Sequence, residues 1–256
     1  MELLVCIKRV PDAAVNVSVG ADGNLSFSES TFVVNALDAC ALEMAVRLKE
    51  TAGGNVAILT ADDEASATPI LRGCLSVGAD SAYIVSGAKY ESLLETTQAL
   101  SQATRKLRDM PFDIVFCGAE SSDISTGQVG VQLAEELGVP VVTNVVAVEN
   151  IGRCLTVKQE TATGYRTIEV ELPCVITVAK PAYEPRYPSI KSKMAARKIP
   201  IEVISAENLS STSSAVIERV SLTTPPQRQG GVRIQEETAV ESVHRAIELM
   251  AEQKVI

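Results

Sequence analysis

Apolar runs and amphipathic stretches alternate along the first half of the chain. The short apolar runs are typical of strands covered on both faces, and the stretches between them carry apolar residues at helical spacing. The pattern predicts strands at Leu3–Ile7, Val56–Leu59, Ala82–Val85 and Asp113–Cys117, and helices at Ala39–Lys49, Ala65–Leu75, Ser92–Leu107 and Gly127–Leu137. This alternation indicates an α/β fold with a mainly parallel, doubly wound sheet.

After Pro140 the apolar runs become closely spaced. Four strand candidates follow one another, separated by turn signals, at residues 141–149, 154–160, 165–172 and 174–180. We interpret them as an antiparallel addition to the parallel sheet. Residues 181–200 are rich in proline and basic side chains, and residues 210–215 are mostly serine and threonine. Both segments are predicted to be surface loops.

The C-terminal segment carries a separate helical pattern. It follows the Pro/Gly-rich residues 223–231 and predicts a helix over Glu236–Gln253. One stripe of this helix is apolar and needs another surface, formed by Val240, Val243, Ile247 and Met250. We therefore predict a nucleotide-binding domain at 1–210 and a linker with a C-terminal arm at 211–256. Periodicity alone leaves open whether the arm packs on a partner subunit or on its own domain.

Composition narrows the classes of function. The 256 residues are 46% hydrophobic, which is enough to fill a globular core, and the net charge of -9 argues against nucleic acid or an anionic membrane as partner. No apolar run reaches the roughly 18 residues expected of a membrane-spanning helix, so we expect no membrane insertion. Lys8 and Arg9 interrupt the region where a signal peptide is apolar. The expected compartment is the cytoplasm or the matrix.

Cysteine and histidine exclude further classes. The six cysteines show no CxxC spacing, so we expect buried, reduced thiols and no metal site. The single histidine, His244, falls in the predicted C-terminal helix. A Ser/His/Asp or Cys/His triad is therefore excluded, and we expect no catalytic acid, base or nucleophile.

Three loops at predicted strand ends carry candidate chemistry, because ligands of open α/β sheets bind beyond the carboxyl ends of the strands. The first comprises residues 8–12. The second runs from Asn35 to Asp38, where either side chain could cap a helix or bind a ribose or base. Capping is favoured for Asp38, and a ligand role is favoured for Asn35.

The third loop, residues 118–130, combines small and hydroxyl-bearing residues where a helix begins. Ser125 and Thr126 offer hydroxyl donors, Gly127 and Gly130 permit close approach, and the first amides of the helix carry a positive partial charge. A nucleotide pyrophosphate would fit there. The loop is neither a Walker A motif nor GxGxxG. An ordinary helix capped by Ser125 or Thr126 explains the same residues equally well.

Several separated segments resemble, in order, the electron-transfer flavoprotein β subunits. They read CIKRVPD, VNALDACALEMAVRLKE, GADSAYIV, DIVFCGAESSDISTGQVG, LPCVITV and EPRYPSIKSKMAARKIPIEV. The last segment is the most specific, since it resembles the family's segment almost position for position. The resemblance spans nearly the whole chain. It implies a Rossmann-like, adenine nucleotide alpha hydrolase-like domain with an antiparallel addition and a C-terminal arm.

The resemblance implies a heterodimer in which a larger α subunit carries FAD and the β subunit holds a second nucleotide. The predicted nucleotide site consists of Asp38 and the residues that the resemblance assigns to this nucleotide. The assigned residues are Cys6, Asn35, Ala61, Asp123, Thr126, Gly127, Gln128 and Val129. The second nucleotide is AMP in one branch of the family and, in the electron-bifurcating branch, an FAD that accepts hydride from NADH. The sequence from Thr126 to Gly130 resembles the bifurcating branch, whereas Gly118–Ser121 lacks a cation usual there. FAD is favoured, and AMP is the alternative.

The resemblance also implies a partner-docking role for residues 183–200, which we call the docking segment. In the family this segment protrudes and docks onto acyl-CoA dehydrogenases. The matching side chains here are Tyr187, Ile190, Lys191 and Met194. Neighbouring basic residues would steer an acidic partner, although a solvated basic loop is the alternative.

An adenine-nucleotide-sensing module is a third possibility for the function of the chain, and it would use neither this segment nor the arm.

Overall fold

The computed structural model describes residues 1–12, 18–20, 25–26, 31–87, 92–108, 111–152, 154–209, 220, 223 and 230–255. The chain divides into two compact units. One comprises Met1–Ser18 and Leu25–Val220, and the other comprises Val19–Asn24 and Ser221–Ile256.

The described residues of the two units form the following strands and helices. The strands are β1 (Glu2–Cys6), β2 (Arg9–Pro11), β3 (Ser18–Val19), β4 (Leu25–Ser26), β5 (Phe32–Val34), β6 (Asn55–Ala61), β7 (Ser81–Ser86), β8 (Ile114–Gly118), β9 (Val141–Ile151), β10 (Cys154–Thr161), β11 (Gly164–Glu171), β12 (Cys174–Val178) and β13 (Ile201–Ser205). The helices are α1 (Ala36–Ala52), α2 (Glu64–Ser76), α3 (Leu93–Leu107), α4 (Val129–Leu137), α5 (Ile190–Ala196) and α6 (Ala239–Glu252). A short 3-10 helix, Ala206–Asn208, follows β13.

Nine strands form one sheet in the order β11-β10-β9-β12-β8-β1-β6-β7-β13. The pairs from β9 through β12 to β13 are parallel, and β10 pairs antiparallel with β9 and β11. The predicted mainly parallel sheet with an antiparallel addition is thereby confirmed. The chain runs outward from β1 through β6 to β7 and returns to β8 on the other side of β1. The strand order therefore reverses between β1 and β8.

Helices cover both faces of the sheet because successive strand residues point to opposite sides. Leu3 and Val5 of β1 pack in the cluster that contains the buried residues of α1 and α2. Leu4 and Cys6 pack in the cluster that contains the buried residues of α3 and α4. All four side chains are buried. This double covering explains why the predicted strands read as continuous apolar runs.

Strand β12 corrects one sequence-based expectation. Its residues were assigned to the antiparallel addition, but β12 pairs parallel with both β8 and β9. All five of its residues are buried, as expected of a central strand in a parallel sheet. The antiparallel addition is therefore limited to β9, β10 and β11.

The expectation of a surface loop over residues 181–200 is wrong for part of that segment. Residues 190–196 form helix α5, which begins where the Ser189 hydroxyl accepts a hydrogen bond from the Ser192 amide at 3.1 Å. The proline-rich composition obscured a helix that has an ordinary serine cap. The predicted loop at 210–215 lies outside the described residues.

In the second unit, helix α6 begins with a capping box between Thr238 and Glu241. Its four predicted apolar side chains are 40–66% exposed. Across the described ranges, no helix combines the length and apolar character needed to cross a membrane.

Candidate functional site

A cavity of about 560 Å³ lies at the carboxyl ends of the adjacent strands β8, β1 and β6. Its walls also include the first turns of α1 and α3 and the loop that joins β8 to α4. The volume falls within the roughly 300–1,000 Å³ typical of small-molecule sites. The cavity lies where the strand order reverses, which is the expected ligand position in an open α/β sheet.

Eight of the nine predicted nucleotide-site residues line this one cavity. They are Cys6, Asn35, Asp38, Ala61, Thr126, Gly127, Gln128 and Val129. The ninth, Asp123, is not among the lining residues, and its carboxylate lies 2.7 Å from the Lys8 Nζ. The fold therefore brings together residues from four separate parts of the chain, while their contacts with a nucleotide stay predictions.

Asp38 connects the two strands that flank the reversal of strand order. Its carboxylate accepts hydrogen bonds from the backbone amides of Lys8 at 2.8 Å and Gly118 at 2.9 Å. The expected capping role is wrong, because the cap position belongs to Asn35 and Asp38 lies inside the first turn of α1, facing the strand ends. Burial raises the pKa of Asp38 to about 6, although the hydrogen bonds that it accepts act in the opposite direction.

Asn35 holds the loop that forms the cavity wall. Its side chain is buried, its Nδ2 donates to the Glu120 carbonyl at 2.9 Å, and its Oδ1 accepts from the Ser122 amide at 3.2 Å. Both polar ends of the amide are thus used by the loop. Asn35 lines the cavity and also shapes it.

Two glycines at the site serve close packing. A Cβ at position 118 would lie 2.3 Å from the Asp38 Oδ1, and a Cβ at position 130 would lie 2.5 Å from the Thr177 Cγ2. Gly130 therefore lets α4 approach the sheet, and the expected role in admitting a phosphate is wrong for this residue. Gly127 does line the cavity, with a φ of +62° that favours glycine.

The amino terminus of α4 opens into the cavity without a side-chain cap. Gln128 occupies the cap position and makes no capping hydrogen bond. The predicted caps are wrong: Ser125 donates its hydroxyl to the Ser121 carbonyl at 3.1 Å, and Thr126 lies ahead of the cap position. The first amides of α4 thus lack a side-chain partner at the cap, which is the arrangement that binds anions at helix starts.

The cavity wall carries more acidic than basic groups. Among the described residues, its lining includes Asp62, Asp63 and Glu120 in addition to Asp38, and Lys8 is the one basic residue. Asp62 forms an ion pair at 2.7 Å with Arg9, which is not itself a lining residue.

Two thiols lie at the floor of the cavity. Cys6 of β1 and Cys117 of β8 are buried, and a hydrogen bond to Cys6 together with burial raises the pKa of Cys117 well above its ordinary value. Cys117 therefore stays neutral and acts as small apolar surface at neutral pH.

Sequence reasoning missed one wall of the cavity, which is contributed by α3. The lining residues of this helix and its cap are Ser92, Leu93, Thr96 and Leu100. The predicted helix start at Ser92 carried the available signal, because a helix that follows a parallel strand begins at the ligand-binding edge of the sheet. Among the residues that the structure describes, no cluster of three or more metal-binding side chains occurs.

The docking segment is anchored at its base by Arg186. The guanidinium pairs with Glu43 at 2.8 Å and with Glu50 at 2.5 Å, both on α1. The Glu43 carboxylate is almost fully buried. Arg47 stacks over the Tyr183 ring at 4.0 Å. These contacts connect the segment to the same helix that opens at the cavity.

Beyond this anchor, the predicted docking side chains are open to solvent. Tyr187 is 94% exposed, Ile190 is 81% exposed and Met194 is 63% exposed, and Lys191 is also exposed. Three neighbouring large apolar side chains that face solvent are unusual on a surface and typical of an interaction site.

Comparison with known proteins gives consistent matches. Residues 24–209 match the electron transfer flavoprotein domain. The chain is 33% identical over 270 residues to the electron transfer flavoprotein subunit beta of Megasphaera elsdenii, with both chains covered completely. It is 32% identical over 269 residues to the acryloyl-CoA reductase electron transfer subunit gamma of Anaerotignum propionicum, again with full coverage of both.

A third relative is subunit CarD of the caffeyl-CoA reductase-Etf complex of Acetobacterium woodii, 31% identical over 264 residues with both chains covered completely. The matches to these three relatives extend over the cavity, the docking segment and the second unit alike. The chain therefore belongs to the electron transfer flavoprotein family, as a beta-type subunit that serves in electron transfer.

Proposed function

We propose that this chain binds an adenine nucleotide in the cavity and, with a larger flavin-carrying α subunit, transfers electrons between NADH and an acyl-CoA-type dehydrogenase. One observation carries the proposal: the uncapped start of α4 opens into a cavity at the reversal of strand order. Helix amides at this position bind phosphate groups. Thr126 adds a hydroxyl at the cavity wall.

FAD is the nucleotide that we propose for this subunit, in an electron-bifurcating complex. The sequence from Thr126 to Gly130 supports this choice, as do two relatives whose names place them with acryloyl-CoA and caffeyl-CoA reductases. A bound FAD would supply two-electron acceptance and one-electron release. The protein would hold the phosphates at α4 and exclude water through the apolar side chains of Leu59, Leu93 and Leu100.

AMP is the second candidate, and the charge of the cavity favours it. Carboxylates outnumber the lysine in the described lining, and no further basic residue at these described positions could serve a longer polyphosphate or a nicotinamide dinucleotide. In this version the nucleotide is structural, and the heterodimer is an electron shuttle that does not react with NADH.

Partner contacts complete the proposal. The exposed apolar side chains of the docking segment support docking onto a flavin dehydrogenase, and its lysines would steer an acidic surface. The apolar stripe of α6 supports packing of the arm on the α subunit. We propose the cytoplasm as the compartment, since all six cysteines are free thiols.

Nucleotide extraction from the purified heterodimer tests the proposal. We expect two FAD per heterodimer, and one FAD with one AMP would replace the first version by the second. Ala61→Phe, which fills the cavity, should remove the nucleotide held by this chain and leave the flavin of the α subunit. Ala52→Phe, at an exposed helix end, is the matched control. Unchanged nucleotide content in Ala61→Phe would contradict the placement of the site.

A further inference from the structure

We infer that Lys8 is the cation that binds the phosphate nearest the adenosine, and that Asp123 weakens this binding by competing for Lys8. The inference rests on the proposed nucleotide site. The resemblance assigns Asp123 to the nucleotide. Here Asp123 instead affects phosphate binding through Lys8.

Both the backbone amide and the side chain of Lys8 are held by hydrogen bonds at the cavity. Its backbone amide donates to the buried carboxylate of Asp38 at 2.8 Å, which fixes where the side chain begins. Its Nζ donates to the Asp123 Oδ1 at 2.7 Å and to the Ser121 Oγ at 3.2 Å. The Asp123 Oδ2 also lies 2.7 Å from the Nζ, so this carboxylate contacts the ammonium through both of its oxygens. The side chain is 39% exposed and lines the cavity.

Binding of a phosphate in the cavity depends on Lys8 because the other charged residues of the lining are acidic. Asp63 and Glu120 are carboxylates on the wall, and Asp62 is already paired with Arg9 outside the cavity. A phosphate that enters the cavity meets these like charges, and the partial charge of the α4 amides offsets them only in part. Within the described part of the chain, Lys8 is the one full positive charge that lines the cavity.

Asp123 contacts the Lys8 ammonium at 2.7 Å and is not among the lining residues. Burial on its own would raise the pKa of Asp123, but the hydrogen bonds from Lys8 and Ser121 outweigh it and lower the pKa. The carboxylate therefore stays ionised at neutral pH. It neutralises Lys8 and repels an incoming phosphate, while Ser121 can still hold the ammonium in position.

A comparison of AMP with adenosine isolates the phosphate contribution. Dissociation constants for both are measured by calorimetry on the nucleotide-stripped heterodimer, for the wild type, Lys8→Met and Asp123→Asn. The asparagine keeps the acceptor oxygen and removes the charge. Lys158→Met, a lysine of β10 outside the cavity, is the control.

We expect Lys8→Met to raise the Kd of AMP about tenfold or more and to leave adenosine unchanged, since a charge-assisted hydrogen bond is lost. We expect Asp123→Asn to lower the Kd of AMP about two- to fivefold, an effect that shrinks with added salt.

Two results would overturn this inference alone: AMP and adenosine weakened equally by Lys8→Met, or AMP weakened by Asp123→Asn. Failure of the wild type to bind either compound would instead overturn the proposed nucleotide site, and this inference with it.

Discussion

At the cavity, helix α1 meets the rest of the chain through short contacts with backbone amides, whereas at the docking segment the same helix uses long charged side chains. Asp38 binds two amides directly, and Gly118 leaves no room for a Cβ beside it. Arg186 reaches Glu43 and Glu50 through its flexible stem. The difference indicates that the cavity tolerates little movement, while the segment is fixed at its base and open at its tip.

The pH dependence of stability provides the largest test of this difference. Asp38 has a pKa of about 6 in the folded chain against an ordinary 3.8, so the folded state holds its proton more tightly. Stability from this group is therefore greatest at low pH and falls as the pH rises from about 4 to about 6. The expected loss is roughly 3 kcal/mol relative to Asp38→Asn.

Urea unfolding of the full chain and of Asp38→Asn between pH 4 and pH 8 measures this loss. The difference in free energy of unfolding between the two proteins should change below about pH 6 and stay level above pH 7. A constant difference across the range would show that the pKa of Asp38 is not raised in the folded chain.

Removal of the docking-segment anchor should have the next largest effect. Arg186→Gln leaves the buried Glu43 carboxylate with Arg47 as its remaining ion-pair partner. We expect a loss of about 2 kcal/mol in the free energy of unfolding, because a buried charge loses a partner. Arg197→Gln, an exposed arginine of the same segment, is the control. Nucleotide content should be unchanged in both variants. A lower nucleotide content in Arg186→Gln would contradict the distinction between the cavity and the docking segment.

A substitution at the tip of the segment should affect partner binding and leave stability unchanged. Ile190→Asp removes an exposed apolar side chain that the folded chain does not bury. We expect the KM for the dehydrogenase partner to rise roughly tenfold, equivalent to about 1.4 kcal/mol, with an unchanged midpoint of urea unfolding. Val203→Asp on the edge strand β13 is the control. An equal rise in both variants would contradict a specific docking site.

The smallest expected effect concerns helix α5 of the docking segment. Ser189→Ala removes the hydroxyl that caps α5, which should cost about 1 kcal/mol of local stability. Hydrogen exchange of residues 190–196 measures this, and Ser189→Thr should restore protection. Equal exchange in all three proteins would show that the anchor alone fixes the helix.

The sequence predicted those parts of the fold that depend on apolar periodicity. The strand expected at Leu3–Ile7 is observed at Glu2–Cys6, and the helix expected at Ser92–Leu107 is observed at Leu93–Leu107. Burial on both faces makes such strands continuous in the sequence. Strand direction did not follow from the same signal, since CVITV reads alike in a parallel or an antiparallel pair.

Residues that act on distant parts of the chain escaped prediction for a physical reason. Lys8 and Asp123 are 115 positions apart in the chain, and they meet only because β1 and β8 are neighbours. The local sequence likewise suggested a capping role for Asp38. Its actual hydrogen bonds, to amides at the ends of β1 and β8, could not be predicted because they depend on the strand order. Loops were identified from local signals, whereas partners across the sheet required the topology.

Helix α1 has a further consequence for how members of this family can vary in length. Asp38 and Glu50 are twelve residues apart on one rigid helix, which separates them by about 18 Å along its axis at 1.5 Å per residue. One inserted residue between them would rotate Glu50 by about 100° around the axis and away from Arg186. Insertions and deletions should therefore be absent from this stretch among related chains, and they should be confined to regions outside it.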